Sequence, residues 1–203
     1  THTFKHYACF NTIYDYEDRN VWSLYEDHAK NIWAGTCTGG GLYRLNRNTD
    51  RFELFDVALT GVITLGEDKQ GNLWAGTFSE LIKIDKIHRK HELHHINYPV
   101  RSICEDDFHT LWIGTEGGGM QGMNLHTGER MSFTEEHGLS NNAVLNILKD
   151  KTGFLWLTTY NGLCRVDVPN KRIKNFYESD GLPSNQFNYN AAASLASGEF
   201  VLG

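Results

Sequence analysis

The chain has 203 residues, 40% hydrophobic and 12% aromatic, enough to bury a sizeable core, which excludes a disordered polymer. A formal charge of −6 at pH 7, with Lys and Arg scattered along the sequence, excludes a basic field for collecting phosphates, so no nucleic-acid role is expected. No apolar run approaches the ~18 residues of a membrane span, and residues 1–20 lack the basic-then-apolar order of a secretory signal, so no membrane insertion by this segment is expected. Cys9, Cys37, Cys104 and Cys164 are far apart with no CxxC spacing, which predicts unpaired thiols in place of a zinc knuckle or a disulfide framework.

In chain order, Thr3-Phe4-Lys5-His6-Tyr7 reads as an outer strand with nothing before it. Four copies of one pattern follow. They align on Asn-Ile-Trp33-Ala-Gly-Thr, Asn-Leu-Trp74-Ala-Gly-Thr, Thr-Leu-Trp112-Ile-Gly-Thr and Phe-Leu-Trp156-Leu-Thr-Thr, at spacings of 41, 38 and 44 residues. That period suits one four-stranded propeller blade.

Each copy opens on an apolar run ending in acid (Val21 to Asp27, Val62 to Asp68, Val100 to Asp106, Val144 to Asp150), predicted as strand a. A polar link such as Lys69-Gln70-Gly71-Asn72 then makes a tight a–b turn. The Trp strand comes next as strand b. Gly-rich steps at Gly39-Gly40-Gly41, Gly117-Gly118-Gly119 and Asn161-Gly162 supply b–c turns. Alternation resumes in Leu42 to Asn46, Leu81 to Asp85 and Leu163 to Asp167 as strand c. Arg51 to Phe55, His91 to His95, Arg130 to Phe133 and Arg172 to Phe176 complete the blades as strand d.

The predicted fold is all-β, a β-propeller with helix content near nil. Blades fall at about 20–56, 61–96, 99–134 and 143–177, with a strand d at 1–7 and a partial blade at 188–203 whose Val201 holds the Trp position. Both ends read as cut, so the segment is expected to be an arc of a larger, seven-bladed ring, with open edges unless the terminal pieces combine into one patched blade.

Written as V-x-S-x-x-E-D-x-x-G-x-L-W-x-G-T-x-x-G-L, the pattern resembles the two-component regulator propeller repeat over nearly the whole chain. Glu136-His137-Gly138-Leu139-Ser140-Asn141-Asn142 and Ser179 to Asn188 are similar to segments used by that family. Ser79-Glu80-Leu81, without Gly, and Thr158, in place of Gly, depart from it. The resemblance implies the periplasmic sensor region of a hybrid two-component system, anchored in the inner membrane. It further implies recognition of an oligosaccharide and signalling to a histidine kinase. The implied partners are the remaining blades and a Y-Y-Y domain. The alternatives are a propeller enzyme acting on polysaccharide (lyase or glycosidase), and a structural propeller that forms a homodimer.

Asp27, Asp68, Asp106 and Asp150 occur one per blade at the same turn, which predicts structural caps over catalytic carboxylates. They differ from the Asp box of sialidase-type propellers, because the acid lies six residues before Trp74, not five. His88, His91, His94 and His95 alternate across a strand and cannot converge on one metal. HExxH, nucleophile-elbow and P-loop patterns do not occur, so no catalytic residue, metal or cofactor is assigned. Sugar binding needs aromatic faces beside amide, carboxylate or guanidinium groups. The candidates are Tyr160 with Asn161, Phe78 with Glu80, and Glu116, all just after the Trp motif. Trp22, Arg101 and Tyr14 join them near the entrances of strand a, Trp22 being weighed as inter-blade core.

Overall fold

The computed structural model describes residues 4–37 and 39–203. After a short hairpin, β1 (Cys9–Asn11) and β2 (Tyr16–Asp18), blade one comprises β3 (Val21–Glu26), β4 (Ile32–Thr36), β5 (Leu42–Asn46) and β6 (Arg51–Asp56). Blade two is β7 (Thr64–Glu67), β8 (Leu73–Gly76), β9 (Glu80–Asp85) and β10 (Lys90–His95). Blade three is β11 (Val100–Glu105), β12 (Thr110–Thr115), β13 (Met120–Asn124) and β14 (Arg130–Phe133). Blade four is β15 (Val144–Lys149), β16 (Leu155–Thr159), β17 (Gly162–Asp167) and β18 (Arg172–Phe176). A two-stranded piece, β19 (Ala192–Ser194) with β20 (Phe200–Leu202), follows blade four. Every blade is an antiparallel meander in sequence order, and the first strands of neighbouring blades pack on one another. The described residues are therefore all-β, with two single 3-10 turns and no α-helix.

The repeat signature has a physical meaning at each position. The indole N–H of Trp33, Trp74, Trp112 and Trp156 donates to the carboxylate of Asp27, Asp68, Asp106 and Asp150 at 2.9, 2.9, 2.8 and 2.8 Å. The same carboxylates accept turn amides, for example from Asn31, Asn72, Thr110 and Phe154, so each acid closes the a–b turn and orients the tryptophan. The rings then fill the gaps between blades. Trp33 sits with Val62 and Leu65 of blade two, and Trp112 with Val144 and Ile147 of blade four.

The motif threonine donates its hydroxyl across the b–c turn, from Thr36 to Gly41 O, from Thr115 to Gly119 O and from Thr159 to Gly162 O. Thr77 does the same to Glu80 O at 3.3 Å, so the shorter Ser79-Glu80 turn closes without glycine.

Blades approach closely at the glycine before that threonine. A Cβ on Gly35 would lie 2.5 Å from Val62 Cγ1, and one on Gly76 would lie 2.5 Å from Val100 Cγ1. In blade four Thr158 occupies this place. Asn146 bonds its hydroxyl at 2.8 Å and the carbonyl of Asn188 at 2.9 Å, so a polar contact replaces the tight Gly–Val fit. Phe187, whose N–H donates to Thr159 O at 3.2 Å, stands where Val62 donates to Thr36 O.

The amino-terminal expectation is corrected. Residues 1–3 of the proposed strand at 1–7 lie outside the described residues, and residues 4–8 form no strand. The neighbouring hairpin instead adds β1 in parallel to β6, with Cys9 facing Phe52, making blade one a six-stranded sheet. Cys9 is buried with Ala34, Tyr43 and Phe52, so apolar packing covers the outer edge that the sequence reading left open. The two segments resembling family usage, which follow strands d, fold alike. Each 3-10 turn (Glu135–His137, Glu178–Asp180) ends on a left-handed glycine, Gly138 or Gly181, at φ 105° and 102°.

Candidate functional site

Antiparallel alternation puts all b–c turns and all d-to-a connections at one end of the barrel of blades, the end where strand a enters. Strand a carries a β-bulge at this end in blades one, three and four, and the blade-four bulge residue, Leu145, stays buried. The register slips between Val21 and Ser23 and between Val100 and Ser102, which leaves Trp22 and Arg101 unpaired in their ladders and free to project at the channel mouth.

A continuous collar results. Phe78 of blade two meets Trp22 edge-on at 6.2 Å, and Trp22 stacks on Tyr189 at 6.4 Å with 7° between the planes. The Arg101 guanidinium lies over the other ring contact, 4.5 Å from the Tyr189 centroid. Its Nε–H donates to Glu116 Oε2 at 2.7 Å, and a second guanidinium nitrogen pairs with the same carboxylate. Tyr160 of blade four donates its hydroxyl to Glu116 Oε1 at 3.2 Å. Asn190 closes the circuit by donating to Trp22 O at 3.0 Å. Every blade, including the partial one, contributes a residue.

The four rings remain open to solvent, Trp22 at 38%, Phe78 at 47%, Tyr160 at 37% and Tyr189 at 41%. Arg101 is not, with its side chain 10% exposed. Burial, and then the Glu116 carboxylate, push the Tyr160 phenol above its ordinary pKa. Below the collar the strands a enclose a space of about 550 Å³, lined among others by Tyr25, Leu65, Ile103 and Ile147.

Five of the eight proposed binding residues thus converge: Trp22, Phe78, Arg101, Glu116 and Tyr160. Trp22 is corrected from inter-blade core to the channel mouth, where it is exposed and stacks on Tyr189. Three residues stay outside. Tyr14 lies in the β1–β2 turn, where its N–H donates to Asn11. Glu80 faces His95 at 3.5 Å, directly across the β9–β10 ladder. Asn161 is next to Tyr160 but donates to Ser140 O. The sequence reading missed Tyr189 and Asn190. Their signal was an aromatic between two amides, Asn188-Tyr189-Asn190, the same local chemistry that drew attention to Tyr160-Asn161.

The histidines of blade two go to separate partners, His88 to Asp85 and His91 to Asp56, while His94 packs on Trp74. Among the described residues no group of three or more His, Cys, Asp or Glu could hold a metal ion. A second cleft of about 520 Å³ lies on blade three beside Tyr98, Gln121, Arg130 and Met131, without a stacked aromatic pair.

The sequence pattern of the two component regulator propeller family matches residues 15–38, 58–79, 95–117 and 138–161, one copy per blade. Histidine kinase P4 of Formosa agariphila is 26% identical over 96% of this chain, which spans 17% of that kinase. The extracellular domain of a hybrid two-component system of B. thetaiotaomicron superposes with a TM-score of 0.75 at 24% identity, covering 93% of this chain and 26% of that domain. The fold is also shared with virginiamycin B lyase from Staphylococcus aureus, at a TM-score of 0.72 and 12% identity over 91% of this chain and 63% of the lyase.

Proposed function

The chain is an array of two-component regulator propeller repeats, and from that premise we propose that it senses an oligosaccharide at the channel-mouth collar for a membrane-anchored hybrid two-component regulator. The observation that carries this reading is the collar itself. Exposed aromatic faces from four blade units surround a carboxylate–guanidinium pair and a phenol, the combination that grips C–H faces and hydroxyls of a sugar.

The sensing domain faces the periplasm in this reading, and the kinase lies beyond the membrane. A ligand shifts such a system only through different affinities for two states, and a collar that joins all the blades offers that difference. Seating a sugar on Trp22 and Tyr189 changes contacts between the first and last units at once. Glycosidase chemistry by two carboxylates would need a second acid about 5–10 Å from Glu116. Glu116 itself is committed to Arg101.

Thermal unfolding of the chain with a panel of oligosaccharides tests the proposal, since a ligand at ~100 times its Kd adds about 2.7 kcal/mol. One glycan class raises the midpoint and is recovered uncleaved. Trp22→Ala and Tyr160→Ala abolish the shift, whereas Met131→Ala in the blade-three cleft leaves it. Cleavage of the glycan would overturn the reading in favour of an enzyme, and silence across the panel in favour of a structural propeller.

A further inference from the structure

The ends of the blades differ in charge, and the difference bears on which sugars the collar accepts. The connections at the mouth end, residues 36–41, 56–63, 77–80, 95–99, 115–119, 133–143, 159–162 and 176–191, contain no Lys or Arg. They do carry Glu80, Glu116, Glu135, Glu136, Glu178 and Asp180. The cations gather at the opposite end, in the a–b and c–d turns, as with Lys30, Arg47, Lys69, Lys86, Arg89 and Lys171.

Among the described residues two arginines stand near the entrances of strand a, and both are paired. Arg19 pairs with Glu17 at 3.3 Å. Arg101 is held along its guanidinium edge by Glu116 and faced by the Tyr189 ring, with its side chain 10% exposed. Among the described residues, a carboxylate or sulfate arriving at the collar therefore meets no unpaired cation. It would have to displace Glu116 from a charge-assisted pair, in a surround of like charge.

Resting on the sugar-sensing reading, we infer that the collar takes an uncharged glycan and refuses uronates and sulfated sugars, and that Glu116 sets this selectivity. The aromatic faces of Trp22, Phe78 and Tyr189 provide the gripping surface, which needs no charge on the sugar. Glu116 acts twice. It neutralises Arg101, and its other oxygen accepts from Tyr160, so the carboxylate occupies the guanidinium edge on which an anion could dock.

The test compares neutral gluco-, xylo- and manno-oligosaccharides with oligogalacturonides and chondroitin fragments, by calorimetric titration of the chain at low salt, where charge effects are largest. Neutral sugars bind and the anionic ones do not. Glu116→Gln exposes the guanidinium and raises oligogalacturonide affinity at least about tenfold, an increase that added salt removes. Anionic fragments that bind the unaltered protein as well as neutral ones do would overturn the selectivity and leave sugar sensing standing. No binding by either class would overturn both. If circular dichroism shows Glu116→Gln unfolded, the comparison on the unaltered protein decides alone.

Discussion

The aspartate at the end of each strand a shows how one side chain can organise a blade. Asp68, itself buried, accepts from the amides of Gln70 and Asn72, the Asn72 side chain and the buried Trp74 indole. Asp68→Ala strands those donors and loosens a 1%-exposed tryptophan, so a loss of about 2–4 kcal/mol is expected in urea unfolding. A change under ~0.5 kcal/mol would show that the turn stands without its cap.

Asp27 adds a pH signature. Burial acts to raise its pKa but is outweighed by hydrogen bonds from Asn31, Trp33 and Lys86, which hold the carboxyl at about 2, below its ordinary 3.8. A depressed folded pKa stabilises the fold above the unfolded value, and the contribution is lost as pH falls from about 4 towards 2. The shift corresponds to about 2 kcal/mol, and acid titration of the unfolding midpoint should show a steeper fall for the native protein than for Asp27→Asn.

At the scale of the element, the contact between blades follows one rule with one exception. In blades one to three a glycine on strand b admits the valine that opens the next strand a. In blade four Thr158 and Asn146 substitute a hydrogen-bonded join, with Phe187 in the valine place. Thr158→Gly and Asn146→Ser each break this join, so the pair together should cost about 1 kcal/mol less than the two single costs added. Strict additivity in a double-mutant cycle would disprove the coupling. The departure at Thr158 was visible in the sequence, but its compensation was not, because Asn146 also bonds the carbonyl of a residue 42 positions away.

Across the whole molecule a ladder of charge runs between neighbouring blades at the end opposite the collar. The residue after the capping aspartate of blades one to three meets the last residue of the next strand a: His28 with Glu67 at 2.6 Å, Lys69 with Glu105 through its amide, and Asp107 with Lys149 at 2.6 Å. The last rung is reversed in sign. Lys149→Glu therefore places two acids together and should lower stability by about 0.5–1 kcal/mol, while Asp107→Asn in the same chain recovers part of the loss by removing the repulsion, Asp107 being paired with Lys69 as well at 2.8 Å. A double variant no more stable than Lys149→Glu alone would remove the ladder from the account.

The sequence by itself determined the repeat and the strand order within each blade, because these depend on neighbouring strands joined by single turns. It also supplied most of the collar as separate residues of suitable chemistry. Only the tertiary structure decided that Trp22 faces the channel instead of the core, that Tyr189 and Asn190 join it, and that the hairpin covers the edge of β6. The physical reason is range. Trp22 and Asn190 are 168 positions apart, and their meeting is fixed by how successive blades pack side by side, which the local pattern of apolar and polar residues does not encode.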